Sequence, residues 1–365
     1  MRILHISHPG RPLYERQWLH AAAHGDLVTV VPLHGRFPPG AGTIRLPVRR
    51  PVIGRLFSST ASPSRYVGLH AALIPTEADV IVTLELFSTT SHQGFEESRR
   101  LHVPLAVLVY ELLDSHPIYR IPPFQSIANQ LAQSADLFVC VSNKAADHLR
   151  KHGVPLSRIA VVSPGVDTDM FRPSDTSVRR EGLIFVGHLA PHKGLPELLT
   201  AFKELSHQHV GLHLTLVGDG PLRSQVLDLS RAMTTVSYLG PLTQPAVARA
   251  LRGSAIFVAP SVDTYRLRQR VGAEQFAFSV VEAMASGLAI VASDCGALSE
   301  VVPQPNPIVP QRDPRALADA LDTLLVDAGR LAALQEANRD AAVQRYSLKR
   351  QAEHLALTLA AATSP

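Results

Sequence analysis

Two carboxylates close together in the last third of the chain are the first candidates for chemistry. Glu274 and Glu282 lie eight positions apart in the segment EQFAFSVVE. On one helix that spacing would leave them about 80° apart around the axis, a poor arrangement for a pair that acts on one face. We therefore predict that Glu274 lies in a loop and Glu282 in the first turn of a helix over residues 279–286. Gly287 would then take the left-handed conformation that ends a helix.

The beginning of this helix is a candidate anion site. Backbone N–H groups of Phe278, Ser279, Val280 and Val281, together with the helix dipole, would attract an anion between the two acids. A phosphate flanked by hydroxyls fits such a site, because amides can hold the phosphate and carboxylates can hold sugar hydroxyls. The alternative needs no ligand: Ser279-x-x-Glu282 is also a capping box. This segment alone leaves both interpretations open.

Positive charge is expected beside the same segment. Gly187 and His188 follow an apolar strand, and Lys193 lies five residues after His188. A diphosphate needs such charges, particularly when two carboxylates stand nearby. Lys193 taken alone would be an exposed loop lysine. A second apolar strand ends in a Gly-Asp-Gly turn that begins at Gly218, which is only a weak dinucleotide signal without the full G-x-G-x-x-G pattern.

Metal ligands are not convincing anywhere in the sequence. Asp167 and Asp169 match a D-x-D pattern, but they lie in a PGVD turn. His207, His209 and His213 lie in a polar link between a helix and a strand. We therefore predict neither a metal site nor a cofactor.

Composition excludes several classes of protein. The chain has 365 residues, of which 46% are hydrophobic and 18% charged, so two globular domains are expected. Its net charge is +4, but only five residues are lysine and no long basic run occurs, which argues against nucleic acid as a partner. Cys140 and Cys295 lie far apart in apolar runs, as reduced cysteines of a cytoplasmic protein do. Met1 begins a strand pattern directly, and no apolar run approaches ~18 residues, so neither a signal peptide nor a transmembrane helix is expected.

Strands and helices alternate twice along the chain, which predicts two α/β domains with parallel sheets covered on both faces. A polar segment over residues 171–182 separates the two patterns as a candidate linker. The predicted domains are residues 1–171 and 172–347, and a final helix over 348–365 could cross back onto the first. The Arg- and Pro-rich stretch 36–64 is predicted to be a long loop that contains at most one short strand. Its arginines could meet an anionic acceptor or lipid headgroups, although a solvated surface is the favoured interpretation.

The turn after the first strand is a second candidate site. Ligands of doubly wound sheets bind beyond the carboxyl ends of the strands, so Pro9, Gly10 and Arg11 are placed to face one. A plain tight turn is the alternative.

Several motifs, taken in order, resemble one enzyme family. The sequence is similar to the family-4 retaining glycosyltransferases, which have the GT-B fold: two Rossmann-like domains facing each other across a cleft. The resemblance covers most of the second half and the end of the first. The matching segments are SRIAVVSPGVDTDMFRP, LIFVGHLAPHKGLPELLTAF, LTLVGDGPLR and EQFAFSVVEAMASGLAIVAS.

This resemblance implies a nucleotide-sugar donor, bound mostly by the second domain. Lys193 would bind the diphosphate, Glu274 would contact hydroxyls of the transferred sugar, and Glu282 would hold the ribose. Retention would follow from front-face attack assisted by the leaving phosphate, with no protein nucleophile and no metal. The catalytic residues implied are Glu274, Lys193 and His188. The further donor-binding residues implied are Gly187, Gly218, Leu239, Leu242, Phe278, Ser279 and Val280.

The sequence also departs from the family pattern. His188 replaces an arginine, and Ala277 replaces a glycine. In the first domain, Pro9-Gly10-Arg11 stands in place of a Gly-Gly loop, and Val82, Leu84 and Tyr110 stand where histidines are usual. Because the first domain binds the acceptor, an unusual acceptor is expected. The acceptor-binding residues predicted are Pro9, Gly10, Arg11, Tyr110 and Glu111.

The favoured function is a retaining, metal-independent transferase. It would use a nucleoside diphosphate sugar, with UDP favoured and GDP possible, and a small-molecule or cell-envelope acceptor. A cytoplasmic monomer or homodimer with at most peripheral membrane contact is expected. One alternative is a non-catalytic GT-B protein that regulates or scaffolds a partner enzyme, supported only by His188 and Ala277. Another is a nucleotide-sugar epimerase, for which the sequence shows no acid and base pair.

Overall fold

The computed structural model describes residues 1–8, 14–33, 42–49, 64–74, 76–114, 116–174 and 180–363. Contacts divide the chain into two compact units. Unit 1 comprises Met1–Gly165 together with Leu348–Pro365, and unit 2 comprises Val166–Ser347. The division falls slightly earlier in the chain than the predicted limit at residue 171.

Unit 1 is built on a parallel sheet of seven strands. From edge to edge, the order is β3-β2-β1-β6-β7-β8-β9, so the chain reverses its direction of travel between β1 and β6, as in doubly wound folds. The short strands β4 and β5 form a separate antiparallel pair. The strands are β1 (Ile3–Ile6), β2 (Leu27–Pro32), β3 (Thr43–Leu46), β4 (Val48–Arg49), β5 (Arg65–Tyr66), β6 (Val80–Leu84), β7 (Leu105–Val109), β8 (Leu137–Cys140) and β9 (Ile159–Val161).

Helices cover the sheet of unit 1. The central strands β6 and β7 are buried along their whole length, which explains why they are continuous apolar runs rather than alternating patterns. Serine side chains accept hydrogen bonds at the starts of α3 and α5, as N-caps do. The helices are α1 (Tyr14–Ala22), α2 (Leu69–Leu73), α3 (Thr89–Leu101), α4 (Phe124–Ser134) and α5 (Asn143–Lys151).

Unit 2 repeats the plan with a parallel sheet of six strands in the order β12-β11-β10-β13-β16-β17. The reversal lies between β10 and β13, and β14 and β15 form a separate hairpin. The strands are β10 (Leu183–Val186), β11 (Leu214–Val217), β12 (Val236–Gly240), β13 (Ile256–Ala259), β14 (Thr264–Arg266), β15 (Gln269–Gly272), β16 (Ala289–Ser293) and β17 (Ile308–Val309). The helices are α6 (Leu195–Gln208), α7 (Arg223–Ala232), α8 (Gln244–Arg252), α9 (Phe278–Ala285), α10 (Leu298–Val301), α11 (Pro314–Val326) and α12 (Ala328–Tyr346).

The last helix, α13 (Leu348–Thr363), belongs to unit 1. It packs against α1, where the indole Nε1 of Trp18 donates to the carbonyl oxygen of Gln351 at 3.0 Å. Trp18 is completely buried. Unit 1 is therefore completed by the two ends of the chain.

The predicted linker 171–182 packs on unit 2 at both of its described ends. Phe171 is buried, and the guanidinium of Arg180 donates to the carbonyl oxygens of Ser286 and Gly287. The two parallel sheets with helical layers confirm the predicted α/β class. No helix in the described ranges has the length and apolar character that crossing a membrane requires.

Candidate active site

The candidate site residues of unit 2 follow the carboxyl ends of four neighbouring parallel strands. Gly187, His188 and Lys193 come after β10, Gly218 after β11, Ser261 and Glu274 after β13, and Cys295 after β16. Parallel strands bring these ends to one edge of the sheet. Local sequence alone therefore does not assemble the site; the strand order does.

Glu274 and Lys193 form an ion pair at this edge. Lys193 Nζ donates to Glu274 Oε2 at 2.6 Å, and Ser261 Oγ donates to the same oxygen at 2.8 Å. The side chains of Lys193 and Glu274 are 28% and 11% exposed. As predicted, Glu274 lies in a loop, outside α9. Sequence reasoning missed Ser261, which follows an apolar strand without any motif of its own.

Burial alone would raise the pKa of the Glu274 carboxyl. The Lys193 ammonium and the hydroxyl of Ser261 outweigh burial, so the pKa lies below its ordinary value. Glu274 is accordingly a carboxylate at neutral pH, when it can accept but not donate hydrogen bonds. It is thus suited to bind hydroxyl groups rather than to act as an acid.

The backbone of Glu274 is held as tightly as its side chain. Its carbonyl oxygen accepts from Ala297 N at 2.8 Å, and its N–H lies 3.4 Å from Cys295 Sγ. Gly296 has φ +54°, and a Cβ atom there would come within 2.1 Å of the Glu274 carbonyl oxygen. Only glycine fits at that position.

The glycines beside Lys193 are explained by equally close backbone contacts. Gly218 has φ +135°, and a Cβ atom there would lie 1.9 Å from the carbonyl oxygen of Gly187. Gly194 has φ +68°, and its Cβ atom would lie 1.8 Å from the carbonyl oxygen of Pro260. These glycines bring the loops after β10, β11 and β13 together, which places Lys193 within reach of Glu274.

The capping box, which the sequence left open as an alternative to an anion site, does not form at the start of α9. Helix α9 begins at Phe278, so its N-cap is Ala277, and no side chain caps it. Ser279 therefore lies inside the first turn. Val280 N donates to the Ala277 carbonyl at 3.1 Å, so this amide is already engaged in the helix. The predicted end is confirmed, because Gly287 has φ +75° and donates to Met284 O at 2.9 Å.

Glu282 lies one turn after Phe278 on α9. Residues four apart share a helix face, so Glu282 and the start of the helix face the same side. Its side chain is buried, with 2% of the residue exposed.

The remaining predicted donor residues of unit 2 are more exposed. His188 is exposed and its ring lies 6.0 Å from that of His192, between ring centres. Burial, Lys193 and His188 lower the pKa of His192 below its ordinary value. Leu239, at the end of β12, is 46% exposed, and Leu242 is half-buried.

The predicted acceptor residues of unit 1 are either outside the described ranges or buried. Pro9, Gly10 and Arg11 lie outside the described residues. Tyr110 and Glu111 are buried, and the Glu111 carboxylate accepts from the backbone N–H groups of Leu112 and Leu113 at 2.9 and 2.8 Å. Glu111 thus holds its own loop, which argues against a direct contact between its carboxylate and an acceptor.

Sequence reasoning missed a polar network in unit 1. The ring of His148 lies between Tyr119 Oη, 2.9 Å from Nε2, and Asp114 Oδ1, 3.2 Å from Nδ1. Asp114 also accepts from Lys151 at 2.5 Å. Burial lowers the pKa of His148 to about 4. The network joins the loop after β7 to α5, a contact for which the sequence offers no spacing signal.

Within the described ranges, no group of three or more histidine, cysteine or acidic residues is arranged to bind a metal ion. His209 instead lies 2.6 Å from Asp322 on α11, measured from Nε2 to Oδ1.

Comparison with models of protein families identifies the family of this sequence. The model described as Glycosyltransferase Family 4 matches residues 19–170, and the model described as Glycosyl transferases group 1 matches residues 180–327. The chain belongs to the family-4 glycosyltransferases. This confirms the resemblance found in the motifs.

Individual relatives are more distant. D-inositol 3-phosphate glycosyltransferase 2 of Catenulispora acidiphila is 30% identical over 229 residues, which cover 56% of this chain and 51% of that protein. A GDP-mannose-dependent alpha-(1-6)-phosphatidylinositol monomannoside mannosyltransferase of Mycobacterium tuberculosis is 25% identical over 237 residues, 60% of each chain. This chain spans about half the length of the first of these curated relatives.

The fold has counterparts among solved structures. HepE of Anabaena, solved in complex with UDP, matches with a TM-score of 0.76 and 18% identity, covering 99% of this chain and 100% of that one. At this identity the likeness shows the fold alone, which is the predicted GT-B fold.

Proposed function

We propose that this protein transfers a sugar from a nucleoside diphosphate sugar to a small-molecule or lipid-linked acceptor, with retention of configuration and without a metal. The observation that carries the proposal is the pairing of Glu274 with Lys193 beside the uncapped start of α9. Such a donor needs three kinds of group: a carboxylate that binds hydroxyls, an ammonium that binds phosphate and helix amides that bind phosphate.

Lys193 supplies the charge for the diphosphate. An ammonium carries three N–H groups, and Glu274 accepts one of them, so two remain for phosphate oxygens. In the reaction, negative charge grows on the leaving diphosphate as the bond to the sugar breaks. A fixed ammonium close to that charge lowers the barrier. Its partner Glu274 holds it in place before the donor arrives.

Glu274 binds hydroxyls of the transferred sugar. Lys193 and Ser261 both donate to Oε2, which leaves Oε1 as the oxygen that faces away from this pair of donors. That oxygen is the one we assign to the sugar. Because the carboxylate is tied to a cation and its pKa is lowered, it is a weak base and a weak nucleophile. This supports a mechanism in which the leaving phosphate, rather than a protein group, takes the acceptor proton.

The start of α9 receives a phosphate group. Side chains that cap a helix compete with ligands for its first N–H groups, and here no side chain caps it. The helix dipole favours an anion at the same place. Of the predicted amides, we assign that of Ser279 to this role, because Val280 N donates within the helix. Glu282, on the same helix face, is assigned to the ribose hydroxyls.

UDP is the favoured nucleotide. Its support is the likeness to HepE, solved with UDP, over nearly the whole chain. GDP is the second candidate, because one relative is named as GDP-mannose-dependent. The names of the relatives, which include an inositol phosphate and a phosphatidylinositol mannoside, support a polar acceptor that is free or lipid-linked.

Nucleotide binding provides the first test. We expect UDP, among UDP, GDP, ADP and dTDP, to raise the unfolding temperature most, because a ligand of the native state stabilises it by mass action. The rise should persist in EDTA. Lys193→Gln should weaken UDP binding about tenfold, the loss of one charge-assisted contact. Lys203→Gln, which removes an exposed lysine charge on α6, is the matched control. The proposal fails if none of the four nucleotides binds, or if binding requires added Mg²⁺ or Mn²⁺.

Stereochemistry and turnover provide the second test. With UDP-glucose and a panel of acceptors, NMR of the first product should show the anomeric configuration of the donor. Glu274→Gln should lower kcat by about 100-fold or more, the cost of one lost transition-state contact. UDP affinity should change little, because the sugar is absent from UDP and the amide oxygen of glutamine can still accept from Lys193. An inverted product, or near-normal turnover of the variant, would contradict the mechanism.

A further inference from the structure

The hairpin β14–β15 is a feature that donor binding leaves unexplained. It arises between Ser261 and Glu274, and it pairs with neither of the two large sheets. Every residue from Thr264 to Gln269 is exposed. The hairpin therefore projects from unit 2 directly beside the candidate site, and its side chains contribute little to the core.

The turn of the hairpin displays apolar side chains to solvent. Leu267 is 92% exposed and Tyr265 is 56% exposed. Leu267 and Arg268 have φ of +48° and +64°, a backbone conformation that costs free energy for side chains of this size. Strain of this kind tends to persist at functional positions. A large apolar residue on a strained, fully exposed turn has no role in folding that the structure reveals.

The charge of the hairpin is entirely positive. Between Thr264 and Gly272 it carries three arginines, at positions 266, 268 and 270, and no acidic residue. Arg270 is neutralised, because its Nη2 donates to Asp263 Oδ1 at 2.7 Å. Arg266 and Arg268 are exposed on either side of Leu267. The tip thus combines an apolar residue with two flanking positive charges.

The base of the hairpin is firmly anchored. Asp263 is 8% exposed, and it also accepts from Cys295 Sγ at 3.4 Å and, through its carbonyl oxygen, from Arg312 Nη2 at 2.7 Å. Strands of three and four residues carry the turn roughly 10 Å from this base. The tip is therefore held at a fixed short distance from Glu274.

We propose that the tip of this hairpin docks onto an anionic phospholipid bilayer. Leu267 and Tyr265 would enter the boundary between headgroups and acyl chains, while Arg266 and Arg268 would lie at the level of the lipid phosphates. A protein surface is less suited, because the exposed apolar area is confined to two side chains. Docking would bring the donor site close to acceptors embedded in or lying on the bilayer.

Vesicle co-sedimentation tests the proposal with the whole chain. Wild type should bind phosphatidylcholine vesicles that contain 30% phosphatidylglycerol, and it should bind pure phosphatidylcholine vesicles much more weakly. Leu267→Ser should weaken binding about tenfold, as expected for loss of one buried leucine. Arg266→Gln and Arg268→Gln should each weaken it about fivefold. Unchanged unfolding temperatures will show that the variants are folded.

Two matched controls separate the tip from general surface properties. Val210→Ser removes an apolar residue that is 98% exposed elsewhere on unit 2, and Arg249→Gln removes an exposed charge on α8. Both should bind vesicles as wild type does. Equal binding to neutral and anionic vesicles, no binding to either, or equal losses in the controls would overturn the proposal. So would self-association in light scattering that Leu267→Ser abolishes, because the tip would then contact a second copy of the chain.

Discussion

Gly296 shows how one residue without a side chain fixes the geometry of the candidate carboxylate. Its φ of +54° and its contact with the Glu274 backbone leave no space for a methyl group. Ser261 and Cys295 then complete the support from the ends of two other strands. The position of Glu274 therefore depends on residues other than its ion-pair partner Lys193.

Substitution of Gly296 tests whether displacement of the Glu274 backbone lowers turnover, beyond the effect of strain at a positive φ. In Gly296→Ala, the new methyl group must push the Glu274 backbone away, so we expect lower stability and a loss of kcat of at least about tenfold. Gly211→Ala is the matched control. Gly211 has φ +83°, and nothing lies within 4 Å of a Cβ atom added there. Its substitution therefore strains the backbone but displaces no neighbouring residue. Equal turnover of the two variants would show that Glu274 tolerates the shift.

The two cysteines should resist modification in the folded protein. Cys140 and Cys295 are both completely buried. Burial and the neighbouring Asp263 together raise the pKa of Cys295 to about 12, although the contact with Glu274 N opposes the rise. Burial also raises the pKa of Cys140. Because the thiolate is the reactive form, a disulfide reagent at pH 8 should label neither thiol until denaturant is added.

Labelling after denaturation provides the count for that experiment. Two thiols should then react. Rapid labelling of one thiol in native buffer would show that the surroundings of that cysteine open often, and it would contradict the tight support described for Glu274 if the labelled residue were Cys295.

At the scale of elements, helix α9 carries a compromise between stability and binding. A serine at the N-cap stabilises a helix by satisfying one of its first N–H groups, but those groups are the ones that a phosphate would use. Ala277→Ser should therefore raise stability by about 0.5–1 kcal/mol. It should also weaken UDP binding about fivefold, the equivalent of one hydrogen bond.

Helix α11 provides the control, because it has a side-chain cap and lies outside the proposed phosphate site. Asp313 caps it by accepting from Ala316 N at 2.9 Å. Asp313→Ala should lower stability by about 1 kcal/mol and leave UDP affinity unchanged. Calorimetric titration together with thermal unfolding measures both quantities. If Ala277→Ser leaves UDP affinity unchanged, the start of α9 does not bind the phosphate.

The elements differ in how well their sequences predict them. Buried parallel strands such as β6 and β7 are continuous apolar runs, and Gly287 marks the end of α9 correctly. The start of α9 was misjudged because Ser279 satisfies the capping-box pattern, while the chain enters the helix one residue earlier. The hairpin β14–β15 has no Asn-Gly or Asp-Gly turn, so its sequence contains no standard turn signal. The burial of Tyr110 and Glu111 is likewise absent from the local sequence, because it comes from long-range packing.

At the scale of the whole molecule, the two units should respond differently to acid. His5 and His148 are buried in unit 1, and burial lowers the pKa of each to about 4, from 6.5. Below pH 6.5 the unfolded chain gains protons that the native state does not bind. The stability they contribute is therefore full above pH 6.5 and declines as pH falls towards 4, by on the order of 3 kcal/mol for each. The corresponding histidine of unit 2, His192, is exposed, so its effect should be smaller.

The single tryptophan makes this prediction measurable. Trp18 lies in unit 1, so its fluorescence reports unfolding of that unit alone. The denaturant concentration at the unfolding midpoint, followed by fluorescence, should decrease as the pH is lowered from 7 to 4.5. Hydrogen exchange of amides in β16 should change less over the same range. His5→Leu, which removes one titrating group, should reduce the pH dependence of the fluorescence midpoint. Parallel declines in both units would contradict the assignment.

The return of α13 to unit 1 has a consequence for synthesis on the ribosome. Trp18 and its partner Gln351 are 333 positions apart, which corresponds to roughly 15–70 seconds of translation. During that interval the apolar face of α1 lacks its covering helix, and by the end of it the whole of unit 2 has been made. The second half of the chain can thus reach its native state before the first half does. A nascent chain of this protein should depend on chaperones that shield the α1 face until α13 emerges.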